Sequence, residues 1–77
     1  MPRAYVLINV DAGAEENVLK HLKNLRGIEE AYVSYGAYDL IVKVKAETME
    51  ELKDEVSRKV RTINQVRSTL TLIIIEE

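Results

Sequence analysis

The chain has 77 residues, 47% of them hydrophobic and 31% charged, with a formal net charge of −2 and no cysteine. That length supports one small globular domain, and the lack of thiols excludes both a disulfide framework and a thiolate metal site. The slightly acidic balance gives no general attraction for phosphate backbones. The longest aliphatic run, LTLIII at 70–75, is far too short to span a bilayer, and Met1-Pro2-Arg3 leads directly into a strand pattern. A cytoplasmic protein without membrane contact is therefore expected. Abundant Glu, Lys and Arg against few Gln make a composition of thermophile type.

Six elements follow one another with no linker. AYVLINV (4–10) is rich in β-formers and reads as the first strand. In AEENVLKHLKNLR (14–26), Val18, Leu22 and Leu25 recur at i, i+4 and i+7, and Leu19 widens the stripe, which predicts an amphipathic helix. Gly27 stands where a left-handed C-terminal cap belongs. AYVSY (31–35) and LIVKV (40–44) read as the central hairpin. ETMEELKDEVSRKVRTI (47–63) opens with a capping box, Thr48-x-x-Glu51, and carries Met49, Leu52, Val56, Val60 and Ile63 along one face. Its acids come first and its bases later, as the helix macrodipole favours. STLTLIII (68–75) is the last strand. The order β-α-β-β-α-β predicts an α+β, ferredoxin-like domain spanning 1–77, a four-stranded antiparallel sheet with both helices on one face.

The strand faces add a consequence. Val6, Ile8 and Val10 share one face and are expected to meet the helices, but Tyr5 and Leu7 on the other face are apolar too. In the last strand, Leu70, Leu72 and Ile74 alternate with Thr69, Thr71, Ile73 and Ile75, and the threonines are assigned to the second face. A sheet wet on one side alternates more cleanly than this. In the usual strand order, 4-1-3-2, the last strand is also an edge. A second copy packed sheet against sheet is the expected cover, against the plainer alternative of a monomer with an open apolar face.

Candidate chemistry is sparse. His21 is the only histidine and shares a solvated helix face with Asn17 and Asn24. Ser34, Ser57 and Ser68 have no histidine placed to act as a base, and the carboxylates are scattered rather than converging. Glycines 13, 27 and 36 are isolated, so there is no phosphate loop, and LIVKV lacks the aromatics of an RNA-binding sheet. Neither an enzyme nor a nucleic-acid binder is expected, and no metal or other cofactor is called for.

SYGAYDL (34–40) remains. In the plain reading Gly36 makes the turn, Tyr38 packs and Asp39 caps a backbone amide. In the functional reading, the amides around Gly36 and the Asp39 carboxylate form a polar site beside an apolar wall. Such a site suits a free amino acid, whose carboxylate takes N–H bonds and whose ammonium takes a carboxylate. Thr69 and Thr71 could add hydroxyls from the same or a neighbouring subunit.

AYVSYGAYDLIVKV resembles the Gly-x-Tyr-Asp-Leu hairpin of the ligand-binding (RAM) domain of the Lrp/AsnC transcriptional regulators, and VRSTLTLIII resembles that domain's closing strand. The likeness covers roughly 4–75 in the same element order. It implies a ferredoxin-like fold, dimers formed through the sheets, and further assembly into octamers or related rings. It also implies amino-acid effectors bound between dimers near the hairpin. Gly36, Tyr38 and Asp39 match the motif, Ala37 takes its variable position, and Thr69 and Thr71 match the threonines of the last strand.

Two departures stand out. Tyr35 replaces the small hydroxyl residue often found before the glycine, and could fill part of a pocket. The helix-turn-helix domain of typical members is missing from this sequence, so the resemblance is to the stand-alone type, without DNA binding of its own but able to co-assemble with full-length relatives. An effector-binding and oligomerisation module is the leading reading, with a purely structural oligomerisation module as the alternative.

Overall fold

The computed structural model describes residues 1–75. The elements are β1 (Arg3–Val10), α1 (Glu15–Lys23), β2 (Ile28–Val33), β3 (Leu40–Lys45), α2 (Met49–Asp54) and β4 (Val66–Ile74). The helix α2 continues into a π-helical segment, Glu55–Val60. The sheet has the order β2-β3-β1-β4, antiparallel throughout, with β1 and β3 central. This is the expected ferredoxin-like α+β arrangement.

The core lies between one sheet face and the helices. Val6, Ile8, Leu22, Leu40, Leu52 and Val60 are completely buried there. Each such side chain contributes about 1.5–3 kcal/mol relative to exposure. The start of α2 is fixed by Thr48, whose hydroxyl accepts the Glu51 amide at 3.1 Å. Met49, the first residue of the helix, does not join the buried stripe: it is 41% exposed, whereas Leu52 is completely buried. Beyond Asp54 the helix widens, and the Arg61 amide reaches the Val56 carbonyl five residues back at 2.9 Å. The spacing of Leu52, Val56, Val60 and Ile63 suits an ordinary helix equally well, so this widening leaves no mark in the sequence.

Three further expectations are corrected. The second strand runs from Ile28 to Val33, so Ser34 and Tyr35 belong to the turn. Its polar start, Glu29-Glu30, straddles a register shift that breaks the alternation. Gly27 is not left-handed; α1 ends at Lys23, and Asn24 closes it with an amide bond to the His21 carbonyl at 3.2 Å. What stands near Gly27 is the Glu55 side chain: a Cβ there would lie 2.9 Å from its carboxyl carbon, so the end of that flexible side chain would have to move aside. Finally, Thr69 pairs with Ile8 and Thr71 with Val6, so both threonines face the helices. The open face of β4 carries Leu70, Leu72 and Ile74 instead, since their partners across β1 are Leu7, Tyr5 and Arg3. Both faces of this strand are similarly apolar, and alternation alone cannot choose between them.

The open face is thus apolar along β1 and β4, where Tyr5, Leu70 and Leu72 are 38%, 44% and 49% exposed. It continues through Ile41 and Tyr32 on β3 and β2. One corner is charged: Arg3 Nε lies 2.9 Å from Glu29 Oε1, and Lys45 Nζ 3.6 Å from Glu29 Oε2. Lys43 Nζ stands 5.6 Å above the Tyr5 ring.

The hydrogen bond from Arg3 holds the Glu29 carboxyl below its ordinary value, helped by the Arg3, Lys45 and Lys43 charges and opposed by desolvation. A depressed folded value means that the pair stabilises the fold above the unfolded value and is lost as pH falls through the folded one. A carbon-detected NMR titration should show Glu29 titrating below a free glutamate; a value at or above it would contradict the pairing.

The Glu55–Gly27 contact makes a second prediction. Glu55 is held by Lys59 at 3.3 Å, its side chain is 12% exposed, and its Oε2 is buried without a partner. Gly27→Ala should cost no more than about 1 kcal/mol in urea unfolding, the low end for overpacking, because the atoms it meets end a flexible side chain. In a Glu55→Ala background most of that cost should disappear; equal costs in both backgrounds would refute the contact.

Candidate functional site at the hairpin

The connection from β2 to β3 is closed by the Ser34 amide, which donates to the Asp39 carbonyl at 2.8 Å. Gly36 adopts φ +119°, a conformation that disfavours side chains, while the space where its Cβ would stand is empty. Glycine is therefore needed for the backbone path, and the path leaves the peptide open to approach.

Asp39 joins three strands' ends. Its amide donates to the Ile8 carbonyl at 2.9 Å, extending the β1–β3 ladder. Its Oδ2 accepts the Val10 amide at 2.9 Å, just where a register shift at Asn9/Val10 disturbs the β1–β4 pairing. The plain reading of Asp39 as a backbone cap thus holds for one oxygen. Among the described residues, Oδ1 has no hydrogen-bond partner in the chain, and the amides of Tyr35, Gly36, Ala37 and Tyr38 donate to none.

Two recesses flank this carboxylate. One, of about 350 Å³, is lined by Asn9, Val10, Asp39, Arg67 and Ser68. Asn9 Nδ2 lies 3.4 Å from Ser68 Oγ there, and Arg67 Nε 3.9 Å from Asp11 Oδ1. The other, of about 430 Å³, lies between the hairpin and α1, against Glu15, Glu16, Ser34, Tyr35, Gly36 and Asp39. Tyr35 is fully exposed, so within one chain it blocks neither. Tyr38 is half-buried and lines neither recess.

Thr69 and Thr71 are elsewhere. They line a groove of about 430 Å³ between α2 and β4, with Leu52, Lys53, Val56, Ser57, Arg61 and Ile73. The structure therefore brings Gly36 and Asp39 together and separates them from the threonines within one subunit. Sequence reasoning passed over Asn9 and Arg67 beside Asp39 and Lys53 and Arg61 beside the threonines, and weighed Ser68 and Ser57 only as nucleophiles without a base. Two signals were available: the lone polar Asn9 inside an apolar strand, and the i, i+4, i+8 spacing of 53, 57 and 61. No helix among the described residues is long and apolar enough to cross a membrane.

Comparison with known proteins gives this geometry a context. The regulatory protein AsnC of Haemophilus influenzae is 36% identical over 58 residues, 75% of this chain and 39% of that protein. The HTH-type transcriptional regulator FL11 of Pyrococcus furiosus is 34% identical over 73 residues, 95% of this chain and 48% of that regulator. The chain thus spans about half the length, or less, of these curated relatives. The crystal structure of FFRP-DM1 superposes with a TM-score of 0.94 at 39% identity, covering 97% of this chain and 100% of that one. The family model of the Lrp/AsnC ligand binding domain matches residues 3–77. By sequence and by fold alike, the chain belongs to the Lrp/AsnC ligand-binding domain family.

Proposed function

We propose that this domain is an effector-binding and oligomerisation module of transcriptional regulation, taking a free amino acid or a related small metabolite at the hairpin. The observation that carries the reading is the pairing of groups unmet among the described residues at 35–39: amides with no acceptor beside a carboxylate oxygen with no donor. A zwitterion supplies both, its carboxylate accepting N–H bonds and its ammonium donating to Asp39. Gly36, Tyr38 and Asp39 are the assigned residues on one copy, with Thr69 and Thr71 supplied by another. The chain performs no catalysis and makes no DNA contact of its own. Its effect on transcription passes through assembly, with its own kind or with full-length relatives. A ligand held between copies favours the assembled state.

The open sheet face is the surface through which two copies dimerise. Tyr5, Leu7, Tyr32, Ile41, Leu70 and Leu72 leave it too apolar for water. Leu72→Lys places an ammonium in its apolar half, beside Tyr5, and should convert the dimer to monomer in size-exclusion chromatography with light scattering. A dimer that survives this change would exclude the face.

A purely structural module remains the second reading, favoured by the bond from the Val10 amide to Asp39 Oδ2. Asp39→Asn separates the two, because an asparagine oxygen can still accept that amide while the charge is gone. Calorimetry with each standard amino acid should find one that binds, and Asp39→Asn should weaken it about 10- to 100-fold, the worth of a charge-assisted hydrogen bond. Unchanged affinity in the variant, or no uptake across the panel, would favour the structural module.

A further inference from the structure

We infer that the recess lined by Asn9, Val10, Asp39, Arg67 and Ser68 receives the side chain of the bound amino acid and selects a carboxamide, that of asparagine or glutamine. This assignment rests on the reading above, in which the hairpin amides and Asp39 hold the effector's carboxylate and ammonium. It adds the residues that read the rest of the molecule.

Asp39 lines both this recess and the one against the Gly36 turn. With the effector's carboxylate on the turn amides and its ammonium on Asp39, the space across Asp39 is left for its side chain. That space, about 350 Å³, admits a side chain of the size of asparagine or glutamine.

An irregularity in strand pairing gives the recess its chemistry. On the open face the pairs between β1 and β4 run Tyr5–Leu72, Leu7–Leu70 and Asn9–Ser68, so the apolar stretch stops at Leu7. The next pair is Val10–Val66, which leaves Arg67 with no partner across β1. In a regular strand Arg67 and Ser68 would point to opposite faces. At this bulge both line one recess, as do Asn9 and Val10. The Val10 amide turns to Asp39 Oδ2 at the same place. Just beyond, the Asp11 amide donates to the Gln65 carbonyl at 2.9 Å, and Gln65 takes φ +79°, an uncommon conformation for a residue with a side chain. The start of β4 is thereby fastened to the end of β1, and the recess walls are held in place.

The groups in the recess are both donors and acceptors. Asn9 Nδ2 lies 3.4 Å from Ser68 Oγ, a long contact. It leaves the Asn9 side-chain oxygen without a donor, and the Ser68 hydroxyl proton without an acceptor, among the described residues. Arg67 Nε lies 3.9 Å from Asp11 Oδ1, beyond hydrogen-bond distance, and its guanidinium donates to no other group among the described residues.

A carboxamide answers this set, with an oxygen for Ser68 and Arg67 and an NH₂ group for the Asn9 oxygen. A carboxylate side chain could pair with Arg67, but it brings no donor and sets its charge near Asp39 and the Asn9 oxygen. An ammonium would face Arg67. An aliphatic side chain would cover Asn9 and Ser68 without bonding either, which is the costly case.

The test is calorimetry of the intact chain with asparagine, glutamine, leucine, glutamate and lysine. Asparagine or glutamine should bind at least about 10-fold more tightly than the other three, the worth of one polar group left unpaired. Asn9→Leu and, separately, Ser68→Ala should each reduce the ratio of asparagine to leucine affinity about 10-fold, with circular dichroism showing the fold retained. Ser68 is exposed, so its variant decides the matter if Asn9→Leu fails to fold. Leucine, glutamate or lysine bound as tightly as the carboxamides, or a ratio indifferent to the variants, would overturn the assignment and leave the hairpin reading standing. Asp39→Asn tells the two apart, because it should weaken every bound amino acid alike. If no amino acid binds, the hairpin reading falls, and acetamide, the bare side-chain group, decides for the recess alone. NMR shifts confined to the Asn9 side-chain amide, Arg67 Nε–H and Ser68 on adding acetamide would keep it as a carboxamide site; their absence would remove it.

Discussion

Two short helices can cover one face of a four-stranded sheet, and the described residues hold only those two. Every buried side chain, from Ala4 to Ile63, lies in the single layer between helices and sheet. The remaining apolar residues have to be placed on surfaces that the chain does not cover. Tyr5, Leu70 and Leu72 on the open face, Tyr35 at the hairpin and the slot beside β4 all follow from that shortage. A small domain gains little from a larger core, and partners supply the missing cover.

Asp39 shows how structural and functional demands share one side chain. One oxygen holds the Val10 amide where the β1–β4 register shifts, and the other has no partner among the described residues. A carboxylate fixed by its own backbone bond keeps its free oxygen in a defined place, which is the usual condition for a precise contact. The same economy governs Gly36: a φ of +119° sets the path of the turn and leaves the peptide unshielded.

Much of this was legible beforehand. Helix stripes led by Val18, Leu22, Leu52 and Val56, the cap at Thr48 and the inward face of β1 follow from periodicity and turn chemistry. Other features depend on contacts between distant segments. Nothing near Gly27 announces that Glu55 will lie against it, 28 positions later in the chain. The facing of Thr69 and Thr71 is set by pairing with β1, and the widened turn after Asp54 has no mark in the local sequence. At the site, the hairpin glycine and aspartate could be read from local sequence. The separation of the threonines could not, because it depends on which side of an edge strand the helices lie.

The central position of β1 has a kinetic side. It is the first strand made, yet one of its two neighbours is β4, and the pair Asn9–Ser68 bridges 59 positions. Until the last strand is synthesised, β1 presents an open edge and its apolar inward face is only partly sheltered. A sheet whose centre is completed by its final segment has a high contact order and closes late. During that interval β1 is exposed to strand pairing with other nascent chains. The acidic pair at the start of β2, on the opposite edge, carries charge that discourages such pairing there, whereas β4 has only serine, threonine and aliphatic residues between Arg67 and Ile75. Folding of this domain is therefore most vulnerable at its very end, when the strand that completes the sheet is also the one most prone to find another chain first.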